Sequence, residues 1–139
     1  MDEKSLSEAA SLLKSYGVEV AYLFGSRARG EESPLSDVDI GVLFGEEIPA
    51  ADCFARRLQL ASRLCGVFGV RRVDVVDLED APPALGFRVI KQGVVIMCTN
   101  ERRRVRYEAR TLIEYIDFKP IAERCERGLL ASMGESEQP

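Results

Sequence analysis

No histidine occurs anywhere in the 139-residue chain. That absence removes Ser-His, Cys-His and histidine general-base mechanisms together, so any chemistry must run on carboxylates, hydroxyls, lysine or arginine. It also leaves no partner for a mixed zinc site, and the four cysteines (Cys53, Cys65, Cys98 and Cys125) contain no Cys-x-x-Cys pair. Most of them are expected to be core residues, with thiols reduced. No apolar run approaches the roughly 18 residues of a spanning helix, and Met1-Asp2-Glu3-Lys4 leads into an amphipathic pattern rather than a signal peptide. A cytoplasmic protein without membrane contact is the expectation. Basic excess is lacking too: the formal net charge is -4, which gives no footprint for gripping a phosphate backbone, and no direct nucleic-acid binding is expected. The one dense basic patch, Arg102-Arg103-Arg104 with Arg106, lies in a segment that reads as helix. It is either a solvated helix face or a partner-docking face.

With 46% hydrophobic and 30% charged residues, the chain has the composition of an ordinary globular domain, and neither an internal repeat nor a linker divides it. Residues 1–133 are expected to form one domain, with 134–139 a disordered tail. Ser5-Leu6-Ser7-Glu8 has capping-box spacing and opens a first helix carrying Leu6, Ala9, Ala10 and Leu13, which Gly17 stops. Val18–Phe24 and Asp37–Phe44 read as strands, 52–67 as a second helix with Phe54, Leu58, Leu60, Leu64 and Cys65 on its apolar positions, and Val73–Leu78 as a third strand. Pro82-Pro83 opens a short helix to Gln92, and Val94–Cys98 supplies a fourth strand. Asn100 is placed to cap a helix from about Glu101 to Ile116, with Val105, Leu112, Ile113 and Ile116 as its apolar residues, before Pro120 breaks the pattern and a shorter piece covers 121–130. The pattern predicts an α+β fold, a small mixed sheet of about four strands with helices packed on it.

The chemistry concentrates in Leu23-Phe24-Gly25-Ser26-Arg27-Ala28-Arg29-Gly30 and, with ten residues between Ser26 and Asp37, in Asp37-Val38-Asp39. Successive strand side chains point to opposite faces, so Asp37 and Asp39 project from the same one with their carboxylates close together. Two such carboxylates repel each other, and a divalent metal is the natural compensating charge, Mg²⁺ or Mn²⁺ on oxygen ligands. A glycine just after a strand lets backbone N–H groups approach an anion, and the Ser26 hydroxyl adds a donor, so Gly25-Ser26 reads as a phosphate cradle. Arg27 and Arg29 can add charge-assisted contacts to a triphosphate, although Arg29 can equally pair with Glu31 or Glu32. Tyr107 and Tyr115, eight apart on a helix, share roughly one face, suited to core packing or to partner contact.

Gly25-Ser26 followed at this spacing by Asp37-x-Asp39 resembles the signature of the polymerase-β-like nucleotidyltransferases. The Gly-Ser-x-Ala-Arg-Gly form, the small size and the trailing Arg106-Tyr107-Glu108 and Tyr115-Ile116-Asp117-Phe118 are similar to the minimal nucleotidyltransferases, the MntA-type antitoxins paired with HEPN-domain toxins. The resemblance implies the polymerase-β-like fold and a third carboxylate from a later strand, for which Asp74 and Asp77 are the candidates. Residues three apart on a strand face opposite sides, and Asp74 is chosen because it lies within the apolar run while Asp77 lies at its exit. The implied reaction is in-line attack of a hydroxyl on the α-phosphorus of an NTP. Two metal ions would be held by Asp37, Asp39 and Asp74, with Gly25 and Ser26 fixing the leaving phosphates. The implied acceptor is a tyrosine of a HEPN ribonuclease toxin, which AMP from ATP would silence. The alternatives are a small-molecule nucleotidyltransferase of the aminoglycoside kind and a catalytically silent antitoxin that acts by binding alone.

Overall fold

Two seven-residue runs rich in β-branched and aromatic side chains, Val18–Phe24 (β1) and Val38–Phe44 (β2), pair antiparallel at the centre of a four-stranded sheet. The computed structural model describes residues 2–25 and 37–132, with side chains described as far as Asp117. Helix α1 spans Glu3–Ser15, α2 Ala50–Phe68, α3 Pro83–Gln92 and α4 Glu101–Ser132; Val73–Asp77 forms β3 and Val94–Cys98 forms β4. The sheet order is β3-β2-β1-β4. β4 runs antiparallel to β1 and β3 parallel to β2, so the sheet is mixed as the sequence pattern predicts. A parallel neighbour needs a crossover, and α2 provides it.

Both faces of the central strands are covered, which is why β1 and β2 are apolar almost throughout. On one face Val38, Ile40, Val42 and Val73 pack with Ala9 and Leu13 of α1 and Leu60 and Leu64 of α2. On the other, Val20, Tyr22, Phe24 and Leu43 pack with Val89 of α3 and Tyr107 of α4. Alternation along β2 therefore turns Asp39 toward the layer of α3 and α4. Parallel pairing places Asp74 beside it, since the two are register partners.

Several local expectations change. The N-cap of α1 is Asp2, whose carboxylate accepts from the Ser5 N–H at 2.8 Å, so the helix starts ahead of the supposed capping box at Ser5. Asn100 does cap α4, accepting from the Arg103 N–H at 3.0 Å. That helix then continues through Pro120 to Ser132 as one element instead of breaking. A proline deletes one ladder hydrogen bond and leaves the turns on either side able to form.

The helix faces are also redistributed. Leu60 and Leu64 are buried on α2, whereas Phe54 and Leu58 stand exposed on its other side. On α4 the expected apolar face is turned outward, with Val105 56%, Ile113 62% and Ile116 67% exposed and Leu112 exposed as well. The packed face is Arg103, Tyr107 and Thr111, at four-residue intervals. Both tyrosines serve packing: Tyr107 is buried, and Tyr115 stacks on Phe87 with ring centroids 4.2 Å apart. The basic run is not uniform either. Arg103 points inward and is 3% exposed, while Arg104 pairs with Glu101 and Glu108, and Arg106 with Glu46. Cys53, Cys65 and Cys98 are free and only partly buried, and Cys125 lies outside the residues whose side chains are described. Among the described residues no helix is long and apolar enough to cross a membrane.

Candidate active site

The first turn of the site is set by Gly25. It follows β1 with φ +80°, a left-handed conformation, and a Cβ there would run into Oδ2 of Asp39. Only glycine combines that backbone with so close an approach. Cross-strand pairing of Phe24 with Asp39 fixes the neighbour, and pairing of Asp39 with Asp74 extends the row onto the third strand. Asp37 immediately precedes β2, where the Val38 N–H donates to the Arg72 carbonyl at 3.2 Å and ties the start of β2 to the start of β3. Asp37, Asp39 and Asp74 thus come together at one end of the sheet beside the Gly25 turn.

Their electrostatics follow from that placement. Burial raises the Asp39 carboxyl above its ordinary range, and the negative charges of Asp74 and Asp37 push it further, with Arg88 and Arg72 opposing. Asp39 is half-buried, while the Asp37 and Asp74 side chains remain 45% and 43% exposed. Arg72 lies between these two, its Nε 3.8 Å from Oδ2 of Asp37 and 3.4 Å from Oδ1 of Asp74. As the side chains stand, no group of three Asp, Glu, Cys or His residues among the described residues converges on one point as a metal cage. The donor chemistry nevertheless fits a hard divalent cation. Three carboxylates on adjacent strands, one of them repelled by the other two, form an oxygen-only set that a cation would relieve.

Asp77, the rejected candidate for a third carboxylate, points to the opposite face at the other end of the sheet. There it accepts from the Glu79 N–H at 3.0 Å and lines a cavity of about 410 Å³ with Phe44, Cys53, Phe54, Arg57 and Arg103. Ser26, Arg27 and Arg29 lie outside the described residues. Two cations at the site escaped the reading of the sequence. Arg72 carried a usable signal, since it stands two residues before Asp74 and strand alternation turns it to the same side. Arg88 sits on α3 and reaches the site only through tertiary packing, which no spacing in the sequence announces.

Residues 7–102 match the family described as polymerase beta, nucleotidyltransferase. The chain belongs to that family. A candidate protein adenylyltransferase of Methanocaldococcus jannaschii is 34% identical over 86 residues, which cover 62% of this chain and 87% of that protein. Among solved structures, a chain of a toxin–antitoxin complex with AMP-PNP superposes with a TM-score of 0.75 at 24% identity, covering 90% of this chain and 98% of that one. A chain from the complex of tri-AMPylated HEPN toxin with MNT antitoxin of Shewanella oneidensis gives 0.73 at 22% identity, covering 94% and 99%. At these identities the structural likeness shows a shared nucleotidyltransferase fold. The site end of the sheet, from Gly25 to Asp74, falls inside the matched family region.

Proposed function

We propose that this nucleotidyltransferase moves AMP from ATP onto a tyrosine hydroxyl of a HEPN-domain toxin and thereby neutralises it. The observation that carries the reading is the row of Asp39 and Asp74 on neighbouring strands, with Asp37 just before the first of them, beside a glycine turn packed directly against the Asp39 carboxylate. In this reading Asp37, Asp39 and Asp74 would hold two divalent ions, Mg²⁺ or Mn²⁺, which supply charge neutralisation at the triphosphate. The Gly25 backbone, with Ser26, Arg27 and Arg29 beyond it, binds the β- and γ-phosphates and aligns them as the leaving group. Asp74 orients the incoming hydroxyl and takes its proton on a carboxylate oxygen. The oxygen–phosphorus bond to the acceptor forms as the α–β phosphoanhydride bond breaks, and pyrophosphate departs.

A protein acceptor is favoured by α4. Its body-facing side is Arg103, Tyr107 and Thr111, and its outward side presents Val105, Ala109, Leu112 and Ile116 at intervals of four, three and four, with Ile113 beside them. That spacing is what an apolar seam against another helix needs, and a stripe of large exposed aliphatics marks an interaction surface. The toxins in the complexes that share this fold supply the occupant to which the reading commits. Purified chain, its co-expressed neighbouring protein, Mg²⁺ and α-labelled ATP provide the test. Label should appear on the neighbour and vanish with Asp39→Asn. Ile113→Asp should leave the fold intact and weaken complex formation by about 30-fold or more, as for an interface hot spot. Inhibition of the toxin without label would mean a silent antitoxin, and label on an aminoglycoside would mean a small-molecule acceptor.

A further inference from the structure

Three carboxylates gathered at one end of the sheet should repel one another, yet two of them share a guanidinium. Arg72 is the residue before β3, and its Nε bridges Asp37 at the start of β2 and Asp74 on β3, at 3.8 and 3.4 Å. Among the described residues these are its only ion-pair partners, and its own side chain is 67% exposed. It therefore occupies the ground between the same carboxylate oxygens that a divalent cation would take. Nothing else described holds it there.

We propose that Arg72 is a built-in counter-ion of the site, pairing with Asp37 and Asp74 when no divalent cation is present and giving them up when one binds. The inference rests on the nucleotidyl-transfer reading above and adds a positioning residue that the family pattern of Gly-Ser and Asp-x-Asp does not contain. Physically it is a competition. A guanidinium within 4 Å of two ligand oxygens lowers the local negative potential that draws a metal, so the metal must displace it. An exposed ion pair is weak and an arginine at the surface swings away at little cost, so the competition tunes affinity without blocking the site. The pairing also keeps the two carboxylates from being driven apart in the metal-free protein, which leaves them near where they are needed.

The experiment measures Mn²⁺ binding to the full chain without nucleotide, by electron paramagnetic resonance of the free ion. Arg72→Ala should bind Mn²⁺ about three- to ten-fold more tightly than wild type, and the difference should shrink as salt screens the charges. Arg72→Lys, which restores the charge without the fork, should return to within about two-fold of wild type. Circular dichroism checks that each variant is folded. Equal or weaker Mn²⁺ binding by a folded Arg72→Ala overturns the counter-ion role, even if transfer to the toxin is found as proposed. If neither wild type nor variant binds Mn²⁺ and no transfer occurs, the inference and the function beneath it fail together.

Discussion

The two ends of the sheet use the same residue types to opposite ends. At the Gly25 end, Asp37, Asp39 and Asp74 lie near one another with the exposed Arg72 between two of them, and the Asp39 carboxyl is raised by burial and by its neighbours. At the other end, Arg103 is 3% exposed and held by buried and half-buried acceptors. It donates to the Phe44 carbonyl at 3.3 Å and to Glu79 at 2.6 Å, with Glu19 3.8 Å away, while Arg110 takes the other Glu79 oxygen at 2.7 Å. The teaching is that an acidic cluster is informative by its imbalance. Charges matched donor to acceptor hold a fold together, whereas carboxylates in excess among the described residues at a strand end store an electrostatic cost that points to a function.

The largest effect that could break this contrast is on transfer. Asp39→Asn should lower labelling of the acceptor by about 100-fold or more, the scale of losing one group that stabilises developing charge. Asp77→Asn, at the balanced end, should leave the rate within about two-fold, because its carboxylate serves the Glu79 N–H and an asparagine oxygen can do the same. Equal losses in the two variants would erase the functional distinction between the ends.

The next effect is on stability and runs the other way. Arg103→Ala removes a buried guanidinium and leaves Glu79 and Glu19 without it, a change expected to cost about 2–4 kcal/mol in a urea melt. Arg72→Ala, an exposed pair, should cost less than about 1 kcal/mol in the same measurement. A large loss at Arg72 with a small one at Arg103 would reverse the assignment of structural and functional arginines.

What was legible in the sequence follows from which forces are local. The strands and the mixed sheet were readable because period-two alternation fixes faces without any knowledge of the rest of the chain. Asp74 could be separated from Asp77 on the same ground, and the parallel register then sets Asp74 beside Asp39. The face of α4 was not legible. A helix with Val105, Leu112, Ile113 and Ile116 on one side reads as packing through them, and here Arg103, Tyr107 and Thr111 pack instead. The apolar pattern was real, but among the described residues it stands exposed instead of packing. Arg103 was hidden for a related reason, since a run of arginines looks uniformly solvated until tertiary contacts choose one to bury. Arg88 has no sequence spacing that ties it to Asp39.

The smallest effect separates the two raised carboxylates by their response to protons and to metal. Burial is the leading cause of the upward shift at both Asp39 and Asp77, with neighbouring acids adding to it. Between the ordinary value of 3.8 and the raised one, the folded protein binds more protons than the unfolded chain, so stability falls as pH rises through that window and the penalty is complete above it. Asn at either position removes the penalty. Each variant should therefore melt above wild type at pH 7, by less than about 1 kcal/mol once solvent screening is allowed for, and the advantage should close as pH falls toward 3.8. Excess Mg²⁺ distinguishes them. It should reverse the order for Asp39→Asn, because wild type gains a bound ion that the variant cannot hold, and should leave the gain of Asp77→Asn unchanged. Thermal melts across pH with and without Mg²⁺ decide the matter, and a metal response shared by both variants would put the cation at the wrong end of the sheet.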